Sequence, residues 1–117
     1  MSEQKTIREI ITDYQNEILS EDLQPDRAAE ILIKISALFG NLNDEIRIAD
    51  MEYNKELLRC LESEEKANRA KIKAEISSQF NRKRIARDTK ELAIEMIRSL
   101  KYFLRAKEEE YGEGRNF

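Results

Sequence analysis

The chain has 117 residues, 40% apolar and 38% charged, with three glycines, one proline, one cysteine and neither histidine nor tryptophan. That length is one domain or one elongated unit, and the scarcity of Gly and Pro removes the usual punctuation of strands and hairpins. The composition is that of long helices and coiled coils, so an all-α fold is expected, built of long antiparallel helical hairpins with coiled-coil-like packing.

The first element is a short amphipathic helix over about residues 4–20. Ile7, Ile10, Ile11, Tyr14 and Ile18 share one face of it. Ser20 to Pro25 breaks it, and Pro25 with Asp26 suits the first turn of the next helix, where the missing N–H costs nothing and an acid meets the positive end of the dipole. From there a heptad seam runs through Ala28, Leu32, Ile35, Phe39, Leu42, Ile46, Ala49 and Tyr53. It shifts register through Leu57, Cys60 and Ala67, and thins through Ala70, Ile72, Ala74 and Ile76 to Phe80. This predicts a helix over 25–77. Gly40-Asn41-Leu42-Asn43 leaves two readings open: one continuous helix, because Phe39, Leu42 and Ile46 keep step, or a stop at Gly40 with Asn41 or Asn43 as the next cap. Three helices follow from the first reading and four from the second.

Ser77-Ser78-Gln79-Phe80-Asn81 is a polar joint where side chains compete for backbone hydrogen bonds, so the chain is expected to turn there. The last helix, over 82–111, carries Ala86, Thr89, Ala93, Met96, Leu100, Phe103 and Lys107 in steps of three and four. Ile85, Leu92, Ile97, Leu104 and Tyr111 widen that stripe. Gly112 and Gly114 should end it, leaving Arg115 to Phe117 as a frayed tail. The whole chain reads as a single elongated helical unit over 1–117. Two-helix contacts bury little apolar surface against the entropy of the chain, so a further partner is expected, with homo-oligomerisation favoured over closure at Gly40.

Charge is unevenly placed. Residues 1–65 carry 7 basic and 16 acidic side chains, residues 66–90 carry 9 basic and 2 acidic, and the net charge is −3. The basic stretch would form the tip of a hairpin, and Lys66, Arg69, Lys73, Arg82, Lys83, Arg84, Arg87 and Lys90 are the candidate contacts for a phosphate backbone or a protein partner. Their alternative role is plain solvated surface, or pairing with an acidic body. The acidic overall balance argues against a dedicated DNA-binding domain.

The chemistry needed for catalysis is missing. Without histidine there is no Ser-His or Cys-His nucleophile and no Glu-x-x-His di-metal site. One cysteine excludes the usual zinc ligand sets, and three glycines offer no phosphate-cradling motif. No catalytic residue, cofactor, metal or small-molecule substrate is expected, and the chain is expected not to be an enzyme. Cys60, on the seam among acidic neighbours, reads as a buried inert thiol rather than a reactive one. Glu62, Glu64, Glu65 and Glu108 to Glu110 read as solvated charge, with Glu62–Lys66 and Glu65–Arg69 supporting the helix at i,i+4. Residues Met1 to Asp13 hold no continuous apolar run and nothing approaches a membrane span, so a soluble, cytoplasmic chain without a membrane partner is expected.

One stretch resembles a known group. Lys71 to Glu110, with Ala-Lys-Ile-Lys-Ala-Glu, the polar turn at Phe80, Met96-Ile97-Arg98-Ser99-Leu100-Lys101 and Leu104-Arg105 before the glutamates, is similar to small helical proteins of phage and prophage early regions. The resemblance implies a non-enzymatic accessory protein that touches replication, recombination or host-defence machinery, and it implies no site residues. The function expected from these readings together is a helical interaction protein that binds a larger protein machine or itself. A nucleic-acid accessory factor working through the 66–90 tip is the alternative.

Overall fold

A computed structural model describes residues 4–64 and 66–113, with side chains described as far as Glu110. The expected helix support from Glu65, the stripe position of the Tyr111 side chain, the Gly114 stop and the tail from Arg115 to Phe117 lie outside the described residues. Five helices follow in order: α1 (Ile7–Ile18), α2 (Pro25–Ala37), α3 (Phe39–Ser63), α4 (Ala67–Glu75) and α5 (Ser78–Glu113). The fold is all-α.

Local chemistry sets several of the ends. Thr6 caps α1, its hydroxyl accepting the Glu9 N–H at 3.1 Å and facing the Glu9 carboxylate at 3.2 Å, in the Thr-x-x-Glu pattern of a capping box. Pro25 opens α2, with Asp26 in the first turn, as its fixed φ favours. Ser77 starts α5: its hydroxyl donates to the Ala74 carbonyl and accepts the Phe80 N–H at 3.2 Å. The joint at 77–81 is therefore a cap, and α5 begins four residues ahead of the expected 82. At the other end α5 continues through Gly112 to Glu113.

The helix expected over 25–77 is three helices. The first interruption falls at Leu38, whose N–H bonds to the Ile35 and Ser36 carbonyls, and not at Gly40, which lies inside α3 with an ordinary negative φ. Leu38 keeps a right-handed helical conformation (φ −80°, ψ −10°), so the seam crosses it: Ala28, Ile35, Leu42, Ala49 and Tyr53 are buried, while Leu32, Phe39 and Ile46 are half-buried. The second interruption, between the end of α3 at Ser63 and the start of α4 at Ala67, follows the register shift beyond Tyr53. It also prevents the Glu62–Lys66 pair, because these residues belong to no common helix. Glu64 instead accepts from Lys73 at 2.7 Å.

The described chain packs as two compact units, one of residues 1–39 with 91–117 and the other of Gly40–Lys90. In the first, α1 and α2 form a hairpin joined by an Arg27–Glu17 ion pair. Its buried residues are Ile11 from α1, Ala28, Ile31 and Ile35 from α2, and Ala93, Met96 and Leu100 from α5. In the second, α3 runs antiparallel to the start of α5: Tyr53 meets Phe80, Glu52 meets Arg82 and Asp50 meets Arg87. Its core joins Tyr53 and Cys60 of α3 to Ala70 and Ala74 of α4, with Leu57 and Phe80 packed against them. The expected a/d seam of the last helix is buried from Ala86 to Leu100 through Thr89, Ala93 and Met96. Among the described residues no helix is long and apolar enough to cross a membrane.

Candidate functional site

The basic stretch lies wholly within the Gly40–Lys90 unit, spread over α4 and the first turns of α5. Half of its candidate residues face inward partners. Arg82 pairs with Glu52 at 2.5 Å, Arg87 with Asp50 at 2.6 Å and Lys73 with Glu64 at 2.7 Å. The Lys83 ammonium lies 4.4 Å from the centre of the Tyr53 ring. The Glu64 carboxylate bonded to Lys73 is held below the usual glutamate range, and the Lys73 ammonium above the usual lysine range. The acids of α3 thus neutralise much of the tip: Gly40–Lys90 carries 12 basic and 10 acidic residues.

The remaining candidates differ. Lys66 precedes α4 as its N-terminal boundary, Arg69 is exposed on its first turn, Arg84 is exposed on α5 and Lys90 is half-buried. None of these four, nor Lys71, makes an ion pair among the described residues. The structure therefore divides the sequence-predicted cluster into an inner set that ties α5 to α3 and α4 to the end of α3, and an outer set of which Lys66, Arg69 and Arg84 are exposed.

Sequence reasoning missed an apolar surface. Seven of the ten exposed large hydrophobics among the described residues fall in Gly40–Lys90. On α3, Ile48 (47% exposed), Met51 and Leu58 sit on the face opposite Leu42, Ala49, Tyr53 and Cys60, with Lys55 completing their heptad spacing. The signal was available: Ile48, Met51, Lys55 and Leu58 are a second seam on the same helix, overshadowed by the longer first one. On α4, the alanines and isoleucines expected to share one thinning seam separate. Ala70 and Ala74 are fully buried, whereas Ile72 is 62% and Ile76 80% exposed. Residues two apart in a helix point to different faces, and the face clustered with Tyr53 and Cys60 carries Ala70 and Ala74.

Cys60 is fully buried, its thiol directed at the Glu56 carboxylate at 3.6 Å, which places it in the core of this unit. Among the described residues no three His, Cys, Asp or Glu side chains are grouped to hold a metal ion. Tyr53, held above the usual tyrosine range by burial, packs as a core aromatic. No family model, curated protein or solved structure matches this chain.

Proposed function

We propose that the chain is a non-enzymatic helical interaction protein, a cytoplasmic accessory factor of phage or mobile-element type that works by docking a helical face on another protein. The observation that carries this reading is the concentration of exposed large aliphatic side chains on the Gly40–Lys90 unit, in heptad spacing along the outer face of α3. Water does not favour such a stripe, and coiled-coil spacing is what a partner helix recognises. The inward pairing of Arg82, Arg87 and Lys73 supports the same reading, because a phosphate backbone would have to compete with Glu52, Asp50 and Glu64 for them.

A nucleic-acid reading retains one specific support, the exposed Lys66, Arg69, Lys71 and Arg84, which make no ion pair among the described residues. Size exclusion with light scattering, on chain purified from cells that carry it, separates the two. Wild type and Met51→Glu/Leu58→Glu are compared with and without a short mixed-sequence oligonucleotide. A stoichiometric protein companion, lost in the variant and indifferent to the oligonucleotide, supports protein docking. An oligonucleotide complex that dissolves in salt and survives the variant overturns it in favour of nucleic-acid binding, and turnover of any small substrate overturns it altogether.

A further inference from the structure

The outer face of α4 is an apolar surface with a charge of its own. Arg69, Ile72 and Ile76 follow one another at spacings of three and four and form one stripe along the side away from Ala70 and Ala74, with Lys66 exposed at its N-terminal end, just before the first turn. The two isoleucines are among the most exposed hydrophobics of the protein, and neither cation has an ion pair among the described residues. This surface asks for an aliphatic side chain with carboxylates beside it.

The connection between α1 and α2 presents that chemistry. Leu19 is 74% exposed directly after α1, and Glu21 and Asp22 follow it, both exposed and without an ion pair among the described residues. Arg27, the next cation along the sequence, is already committed to Glu17 and Glu30. No basic residue occupies the last turn of α1 to offset the acids.

We propose that these two surfaces are the halves of one contact between copies: the Lys66–Ile76 stripe of one chain receives Leu19, Glu21 and Asp22 of a second copy. Charge complementarity selects the occupant. The basic stripe cannot pair with itself across a two-fold axis without setting Lys66 and Arg69 against their own images, and the acidic connection has the same difficulty. Joining unlike halves removes both conflicts. Two copies that exchange both halves about a two-fold axis close as a dimer, and copies that share only one contact add head to tail, into a ring if the rotation closes and a filament if it does not. A patch of a few side chains is at the small end of interfaces, so the association is reversible and salt-sensitive. The inference rests on the protein-docking reading and names a second copy as one occupant.

Sedimentation equilibrium of the full chain tests it. At about 0.1 M salt the average mass should rise with concentration from the 13.8 kDa of one chain, and it should return to that value at about 1 M salt, where the screening length falls from about 10 Å to about 3 Å. Lys66→Glu/Arg69→Glu and Glu21→Lys/Asp22→Lys should each weaken association about tenfold or more. Mixing the two variants should restore it, because the reversed stripe of one now matches the reversed connection of the other. That recovery shows both variants to be folded. A wild type that stays at one mass throughout, or variants that do not recover on mixing, overturns the inference. If the companion protein of the previous section is still captured in that case, the docking reading stands and only the second copy is wrong.

Discussion

Replacing Tyr53 with alanine measures how much of the Gly40–Lys90 unit hangs on one side chain. The ring is 7% exposed, its centre lies 5.3 Å from that of Phe80 at an interplanar angle of 49°, and the Lys83 ammonium sits 4.4 Å from its centroid. The other buried members of this cluster are Cys60, Ala70 and Ala74, all small, which leaves Leu57 and Phe80 as the large side chains packed against the space left behind. Loss of a buried aromatic ring to alanine costs about 3–5 kcal/mol, a large share of the roughly 5–15 kcal/mol that holds a whole domain together. Tyr53→Leu keeps aliphatic burial and loses the ring pair and the cation contact, which together are worth about 1–2 kcal/mol. Urea titration followed by circular dichroism gives the totals, and native-state hydrogen exchange should place the loss of protection in Gly40–Lys90 amides. Lys83→Met should cost about 0.5–1 kcal/mol in the wild type and almost nothing in the Tyr53→Leu background. A Tyr53→Ala cost below about 1 kcal/mol, the size of an ordinary surface change, would refute the packing argument. Equal Lys83→Met costs in both backgrounds would refute the cation contact.

Four further outcomes follow from the structure. Gly40→Ala should stabilise by about 0.5–1 kcal/mol in thermal or urea unfolding, because Gly40 is helical and an added Cβ would meet nothing within 4 Å; destabilisation would return Gly40 to the role of a helix stop. Ser77→Ala should cost about 1 kcal/mol and increase exchange of the Phe80 amide, since that hydroxyl caps α5. Glu17, Glu30, Glu56 and Glu64 are held below the usual glutamate range chiefly by hydrogen bonds to Arg27, Lys34, Arg59 and Lys73. Their stabilisation is complete above the unfolded glutamate value and lost as pH falls through the lower folded values, so unfolding midpoints should drop below about pH 4, with Lys73→Met flattening the acid limb. Burial of Tyr53 raises its folded pKa, so its contribution is present below the unfolded value and lost as pH climbs past about 10; Tyr53→Phe should remove that part of the alkaline loss.

Heptad arithmetic made most of the helical content legible, because burial along a helix repeats every three or four residues whatever the helix packs against. Ala86, Thr89, Ala93, Met96 and Leu100 form one stripe in the sequence and are buried side by side in the structure. Turn chemistry was read less well. Gly40 was open to a continuous helix or a stop and lies inside α3, and the interruptions came at Leu38 and between Ser63 and Ala67, where no single residue type announces a stop. Thr6-x-x-Glu9 was readable as a capping box and would have placed the start of α1.

Composition and spacing by themselves determined that the chain is helical, which face of α1, α2, α3 and α5 is buried, and that the basic residues cluster between Lys66 and Lys90. Those properties are local: they depend on side-chain type and on the 3.6-residue turn. Only the tertiary structure decided which cations are committed. Arg82 and Arg87 find Glu52 and Asp50 across 30 and 37 residues of chain, while Lys66, Arg69 and Arg84 make no ion pair among the described residues. It also decided that α4 turns its alanines inward, into the cluster with Tyr53 and Cys60, and its isoleucines outward. Burial and charge pairing are properties of neighbours distant in sequence, and a linear pattern does not name them.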